Sequence, residues 1–317
     1  MADRIAFTST QTPDGMECIE LRRQRDGGFL RRASCECIPR REWVRNAPAA
    51  ALSAISRLQS LDTEESIDET AEQLIVPAPL IAQLSDSEAH AIGLPPATDL
   101  ILHLQSTGKL HDGSIQVEKR WLRRGGIPAR ARPNGARLRV SDGTARLPEP
   151  LYSTNVLVDR LAATSDPDER RARFAELRDH LGDLDDSAID PDGFISKTRI
   201  AYAASFSLDL RTHGGLFDFD PVLFARSARE NEDGDLVDEK EASLLTESEQ
   251  QRFRSRFRSQ TGGKRSYLLS DGTILFLDPL LGRALDVVRE QQSLSGEARK
   301  EFARALQRFI RERLSLD

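Results

Sequence analysis

Polar and apolar residues alternate with a period of two over much of the first 46 residues, which read as antiparallel strands. "MECIELRRQ" and "FLRRASCECI" flank "RDGG", where Asp26-Gly27 supplies the backbone freedom of a hairpin turn. The period lengthens in "APAAALSAISRLQSL", which puts Leu52, Ile55 and Leu58 or Gln59 near one helical face. Ser85 and Glu88 have capping-box spacing, so a second, short helix starts there. Alternation returns in "DLILHLQS" and "SIQVEKRWLR", and "ARLRV", "SDGT" and "ARL" form a further hairpin.

After "LPEPL" the chain turns helical. "YSTNVLVDRLAA" is followed by "DPDERRARFAELRDHL", with Asp166 as N-cap and Pro167 at the first helical position. "RIAYAASFSLDL" alternates again and predicts a half-buried strand with Ile200, Tyr202, Ala204, Phe206, Leu208 and Leu210 on one face. The acidic "ENEDGDLVDEKE" reads as a solvated loop, and Thr246 with Glu249 caps a helix over "ESEQQRFRSRFRS". "SYLLSDGTILFLDP" reads as a hairpin turning at Asp271-Gly272, with Asp278 and Pro279 opening the first of two terminal helices, about 280–293 and 296–314. "SDGTARLPEPL" and "SDGTILFLDPL" repeat one spacing of turn, strand and acid-Pro-Leu helix start, and "FDFDPVLF" repeats its last part. Asp-Gly and Asp-Pro are common punctuation, which favours convergent turn chemistry over duplication. The expected class is α+β: antiparallel hairpins and short sheets with packed helices, in two lobes. Residues 1–150 make a β-rich lobe, and residues 151–317 make an α+β lobe ending in a hairpin and two helices.

With 317 residues, 38% hydrophobic and 30% charged, the chain is long and apolar enough to bury a core. No apolar run reaches membrane-spanning length and "MADRIAFTST" lacks a secretory signal pattern, so no membrane partner is expected. Three cysteines, Cys18, Cys35 and Cys37, fit a reducing cytoplasm better than a disulfide scaffold.

The net charge of −6 hides an uneven distribution. Residues 1–150 balance at 20 basic and 20 acidic side chains, and residues 151–317 carry 25 against 31. Within the balanced half, eight cations and no acid fall between Lys119 and Arg139. Cations here are mostly arginine, 39 against 6 lysines, a bias that GC-rich codons also produce.

Enzyme signatures fail on spacing. "TGGKR" has Arg258 where a P-loop needs its first glycine and Arg265 where it needs Ser or Thr, so no phosphate cradle and no nucleotide cofactor are expected. Asp238-Glu239-Lys240 with a distant Asp192 imitates a metal-dependent nuclease, but it sits in the least apolar stretch, where rigid support is weakest. Cys35 and Cys37 have no second pair, the five histidines are scattered, and no Gly-x-Ser-x-Gly elbow exists, so neither a metal site nor a catalytic centre is expected.

Nucleic-acid contact is the strongest chemical signal. Lys119, Arg120, Arg123, Arg124, Arg130, Arg132, Arg137 and Arg139 lie in a strand-loop-strand region that includes Trp121 and a flexible "RGGIPARARPNG". A second set, Arg254, Arg258, Lys264 and Arg265, decorates a helix and the segment after it; Phe253 and Phe257 there read as core anchors. The competing reading for both sets is a solvated surface paired with the abundant acids.

"RIAYAASFSLDLR", "FDFDPVLF", "SYLLSDGTILFLDPLLGRALDVVREQQ" and "EARKEFARALQRFIRERL" resemble the N-terminal accessory region of large bacterial SNF2-type (superfamily 2) helicases of phage-defence islands, mainly over residues 150–317. The resemblance implies a non-catalytic DNA- or partner-binding module, either separated from its motor or a subunit without one. DNA and a helicase motor domain or another defence-system subunit are the partners it implies. The family's ATP-binding residues have no matching positions here. A small metal-dependent nuclease and a pure protein-interaction scaffold are the alternatives.

Overall fold

A computed structural model describes residues 4–25, 34–63, 66–110, 113–182, 184, 187–213, 216–225, 228–230, 236–238, 245–251, 253, 266–268, 273–277, 279–291, 297 and 301. The class is α+β, with small antiparallel and mixed sheets and packed helices. The chain forms two compact units that alternate along the sequence: Met1–Gln105, Val117–Arg160 and Asp183–Asp192 in one, Ser106–Gln116, Leu161–Gly182 and Gly193–Asp317 in the other. No helix among the described residues is long and apolar enough to cross a membrane.

The first unit opens with β1 (Arg4–Gln11), β2 (Glu17–Arg25) and β3 (Ser34–Cys37). The β2–β3 pairing matches the expected hairpin, whose Asp26-Gly27 turn lies outside the described residues. Strand character stops earlier than expected. Arg40–Glu42 is a 3-10 turn and α1 (Trp43–Asn46) follows it. Trp43 turns inward there, donating Nε1–H to the Ile38 carbonyl at 2.8 Å and meeting Phe7 edge-on at 5.0 Å.

Helix α2 (Ala49–Leu61) packs Ala51, Ala54, Ile55 and Leu58 inward, with Leu52 half-buried at the margin. Strands β4 (Asp68–Glu69) and β5 (Gln73–Val76) complete a sheet ordered β1-β2-β5-β4, with β3 also on β2. Pro77 then starts α3 (Ala78–Ala82), a helix the periodicity is too short to reveal. The expected capping box opens α4 (Asp86–Ala91): Ser85 and Glu88 satisfy each other's backbone N–H groups.

β6 (Ile101–Thr107), β7 (Gln116–Arg123), β8 (Ile127–Pro128) and β12 (Ile189–Pro191) form a second sheet, ordered β12-β6-β7-β8. The β12–β6 pairing is parallel, joining strands far apart in sequence. β9 (Ala131–Asn134), β10 (Arg137–Val140) and β11 (Gly143–Arg146) make a third, a tight antiparallel meander. "RGGIPARARPNG" is therefore not a flexible loop but β8, β9 and their turns.

The meander meets the first sheet backbone to backbone. Gly15 (φ +83°) and Gly135 (φ +51°) sit in facing turns, and a Cβ on Gly135 would lie 2.0 Å from the Gly15 carbonyl oxygen. Ala136 beside it is fully buried in the core formed by Phe7, Ile19, Leu21, Leu58 and Leu74.

α5 (Leu151–Ala163) leads to α6 (Pro167–Gly182), where Asp166 Oδ1 accepts from the Glu169 N–H at 2.8 Å, the expected N-cap. In the second unit α6 buries Phe174 and Leu177, and Phe174 lies 6.0 Å from Phe194 of α7 (Gly193–Lys197). A mixed sheet ordered β14-β13-β18-β17 contains β13 (Ile200–His213), β14 (Leu216–Ala225), β17 (Ser266–Leu268) and β18 (Ile274–Leu277). β17 and β18 pair as the expected hairpin, and Pro279 opens α8 (Pro279–Gln291); Asp271, Gly272 and Asp278 lie outside the described residues.

Three expectations change in this unit. Tyr202 is exposed and Ala203 buried, the reverse of the predicted face, and a bulge at Ala203/Ser205 interrupts the two-residue period. Asp220-Pro221 opens no helix: Pro221 lies within the edge strand β14 opposite Leu208, a place where a missing N–H is tolerated. Part of the acidic segment is a ribbon, β15 (Ala228–Glu230) against β16 (Leu236–Asp238). Thr246 and Glu249 form the predicted capping box, and Phe253 is buried 4.9 Å from the Tyr267 ring.

Gly135→Ala and Gly125→Ala separate backbone strain from crowding. Both positions have positive φ, costing roughly 1–3 kcal/mol with a Cβ, but only Gly135 meets facing backbone. Urea denaturation should show Gly135→Ala clearly the more destabilised of the two.

Candidate anion-binding groove

One face of the β9–β10–β11 meander is apolar and one is polar. Pro133, Leu138 and Ala145 pair across the strands on the inner side. Arg132, Asn134, Arg137, Arg139 and Thr144 share the other. This face and the end of β1 line a groove of about 400 Å³. Arg132 and Arg139 are directly opposed cross-strand partners, a like-charge pairing that destabilises a ladder unless an anion lies over it.

Arg137 is the structural member of this set. Glu17 sits on the core face of β2 with Ile19 and Leu21, and all three are fully buried. Arg137 Nε donates to Glu17 Oε1 at 2.6 Å, and its NH2 donates to Glu17 Oε2 at 2.6 Å and Ser9 Oγ at 2.8 Å. Burial pushes the Glu17 carboxyl above its ordinary range, and the guanidinium draws it part of the way back. Gln11 and Asn134 extend the seam, with Gln11 Nε2 donating to the Asn134 carbonyl at 2.6 Å and Asn134 Nδ2 to Gln11 Oε1 at 3.1 Å.

The remaining predicted cations divide. Lys119 turns to α5, donating to Asn155 Oδ1 at 2.6 Å and Asp159 Oδ1 at 2.5 Å. Arg120 pairs with Glu118 at 3.3 Å and Arg123 with Asp142 at 3.0 Å, the latter holding the Asp142 carboxyl below its usual range. Glu118 and Asp142 lie just outside the acid-free window, so half of its eight charges are neutralised locally or across the fold. Arg124, Arg130, Arg132 and Arg139 are exposed and have no ion-pair partner among the described residues. Arg254, Arg258, Lys264 and Arg265 lie outside those residues.

Trp121 is buried and offers no stacking surface for bases. The groove's Ser9, Thr10 and Gln11 carry no sequence signal, because β1 reaches the meander from more than a hundred positions away. Asn134-Gly135, a hairpin-turn dipeptide between Arg132 and Arg137, was the available sign that these arginines share one sheet face.

Among the described residues, no group of three or more His, Cys, Asp and Glu is placed to hold a metal. Glu239 and Lys240 of the nuclease triplet lie outside them. Cys18 is buried, with Sγ 2.9 Å from Gln73 Oε1, and no described cysteine is in a disulfide. No protein-family model matches the chain, and no curated protein matches it.

Arg137→Ala leaves the Glu17 carboxylate buried without its cation, and the expected cost near neutral pH is about 3–5 kcal/mol. A carboxyl raised in the folded state contributes stability below its unfolded pKa and loses it as pH rises through the folded value. The deficit of Arg137→Ala against the wild type should therefore narrow as pH falls from 7 towards 4.5, as measured by urea midpoints at each pH.

Proposed function

We propose that the chain is a non-catalytic DNA-binding module that grips the phosphate backbone with arginines of its meander face, of the β7–β8 turn and of the segment between β8 and β9. The observation that carries this reading is the set of exposed arginines with no ion-pair partner among the described residues, Arg124, Arg130, Arg132 and Arg139, on a chain that is acidic overall. Guanidinium groups present planar sets of donors that suit phosphate oxygens, and neutralising phosphates releases counterions. The directly opposed Arg132 and Arg139 favour a polyanion for the same reason that they disfavour an empty face.

Together with the resemblance of the C-terminal half to helicase accessory regions, this reading makes the chain a cytoplasmic subunit or segment that holds DNA for a bacterial defence-type SNF2 motor. The hydrolytic chemistry belongs to the motor. An anionic protein partner is the competing occupant of the face, and salt dependence distinguishes it from DNA.

Fluorescence anisotropy with a labelled duplex at several salt concentrations tests the proposal. Alanine at Arg124, Arg130, Arg132 and Arg139 together should weaken binding and reduce the log–log salt slope by about 3–4, at about 0.9 per phosphate contact. Arg173→Ala on α6, where Arg173 pairs with Glu169 and Glu176, should leave the slope unchanged. An equal slope in the quadruple variant would end the DNA reading for these arginines.

A further inference from the structure

The β7–β8 hairpin carries exposed apolar residues that the phosphate-gripping role leaves unused. β7 and β8 pair Leu122 with Pro128 and Arg123 with Ile127, and Arg124-Gly125-Gly126 forms the turn. The Gly126 N–H donates to the Arg123 carbonyl at 3.0 Å, and the Ala129 N–H donates to the Trp121 carbonyl at 2.8 Å. Trp121 is buried, so the root of the hairpin is anchored. The tip itself is free: a Cβ on Gly125 or Gly126 would meet no atom within 4 Å. Ile127 is 61% exposed there, and Pro128 after it is exposed as well.

Of the four large hydrophobic residues exposed among the described residues, Phe194 and Tyr202 each lie against another ring. Val44 sits on the short α1, and only Ile127 stands at a hairpin tip. It is flanked by Arg123, Arg124 and Arg130. Arg123 pairs with Asp142 of the β10–β11 turn, tying the mouth of the hairpin to the meander that carries Arg139 and Thr144.

Building on the DNA-binding reading, we propose that Ile127, backed by Pro128, is a wedge that enters the minor groove, inserts between two base pairs and kinks the duplex, while the neighbouring arginines hold the phosphates on either side. The tip has the form this needs. Two glycines add no side chains at the turn, so Ile127 projects from a tip whose bulk is the backbone itself and Arg124. Ile127 is β-branched and stiff at χ1, as a wedge must be. Ile, Pro and Gly offer no side-chain donors or acceptors to read the major-groove code, but an apolar side chain between bases replaces the stacking it disrupts. Pro128 has no N–H to offer on the edge strand, which disfavours the alternative of strand addition from a partner.

The test measures bending and binding together. A duplex of about 30 base pairs labelled at both ends should show increased energy transfer when the wild-type protein binds, as bends of roughly 20–90° shorten its ends. Ile127→Ser should keep the wild-type salt slope, lose most of the transfer increase, and bind the intact duplex about tenfold more weakly. It should regain much of that affinity on a duplex with a central mismatch, where the step is already loosened. Its thermal melt should match the wild type, since Ile127 lies outside the core. Wild-type binding without added transfer, or undiminished bending by Ile127→Ser, would overturn the wedge and leave the phosphate grip standing. No salt-dependent duplex binding by the wild type would remove both.

Discussion

The ion pair between Glu17 and Arg137 is the constraint on which the arginine face depends. Its carboxylate lies on the apolar side of β2, between the core and the meander, where an unpaired charge is costly. The fold supplies the counterion from another sheet, through two hydrogen bonds of 2.6 Å, with Ser9 taking a third from the same guanidinium. Gly15 against Gly135 and the Gln11–Asn134 amide exchange lie along the same line. A pair this buried gains little stability over apolar packing, but removing one partner is expensive. Its effect is to fix where the meander sits on the first sheet, and with it the spacing of the groove's two walls.

Arginine serves three different ends in this molecule. Some arginines satisfy main-chain carbonyls: Arg170 donates to Thr164 and Gly113, and Arg178 to Ser196 and Thr198 at the end of α7. Arg146 is almost fully buried, donates to Asp86 at 2.7 Å, and approaches the last carbonyls of α3. Others pair with acids nearby, as Arg120 and Arg123 do. The remainder of the basic window points outward without a partner among the described residues. The planar, multi-donor guanidinium suits all three uses, and a lysine would serve the first poorly. Arginine abundance alone therefore says little about binding; position on the fold decides it.

The groove and the hairpin tip are complementary in chemistry. The groove offers guanidinium groups, hydroxyls and amides on one polar face, the chemistry that the proposed phosphate contact calls for. The tip offers an exposed apolar side chain flanked by arginines. A bent duplex would let both act at once, with the deformation determining which sequences are held best.

Sequence periodicity and end signals determined much of the local structure. The β2–β3 and β17–β18 hairpins, both capping boxes, the Asp166 N-cap and the start of α8 follow from interactions between residues a few positions apart, which is why they were legible. The α+β class follows from their alternation. Elements that rest on distant partners were not legible: the parallel β12–β6 and β13–β18 pairings, the reversal of face at Tyr202, and Pro221 inside a strand. The basic window was visible as a run of charge, but not its division. Lys119 found Asp159, and Arg137 found Glu17, across 40 and 120 positions. Only tertiary structure decided which cations are consumed and which remain, because a charge is neutralised by what lies beside it in space and not by what precedes it in the chain.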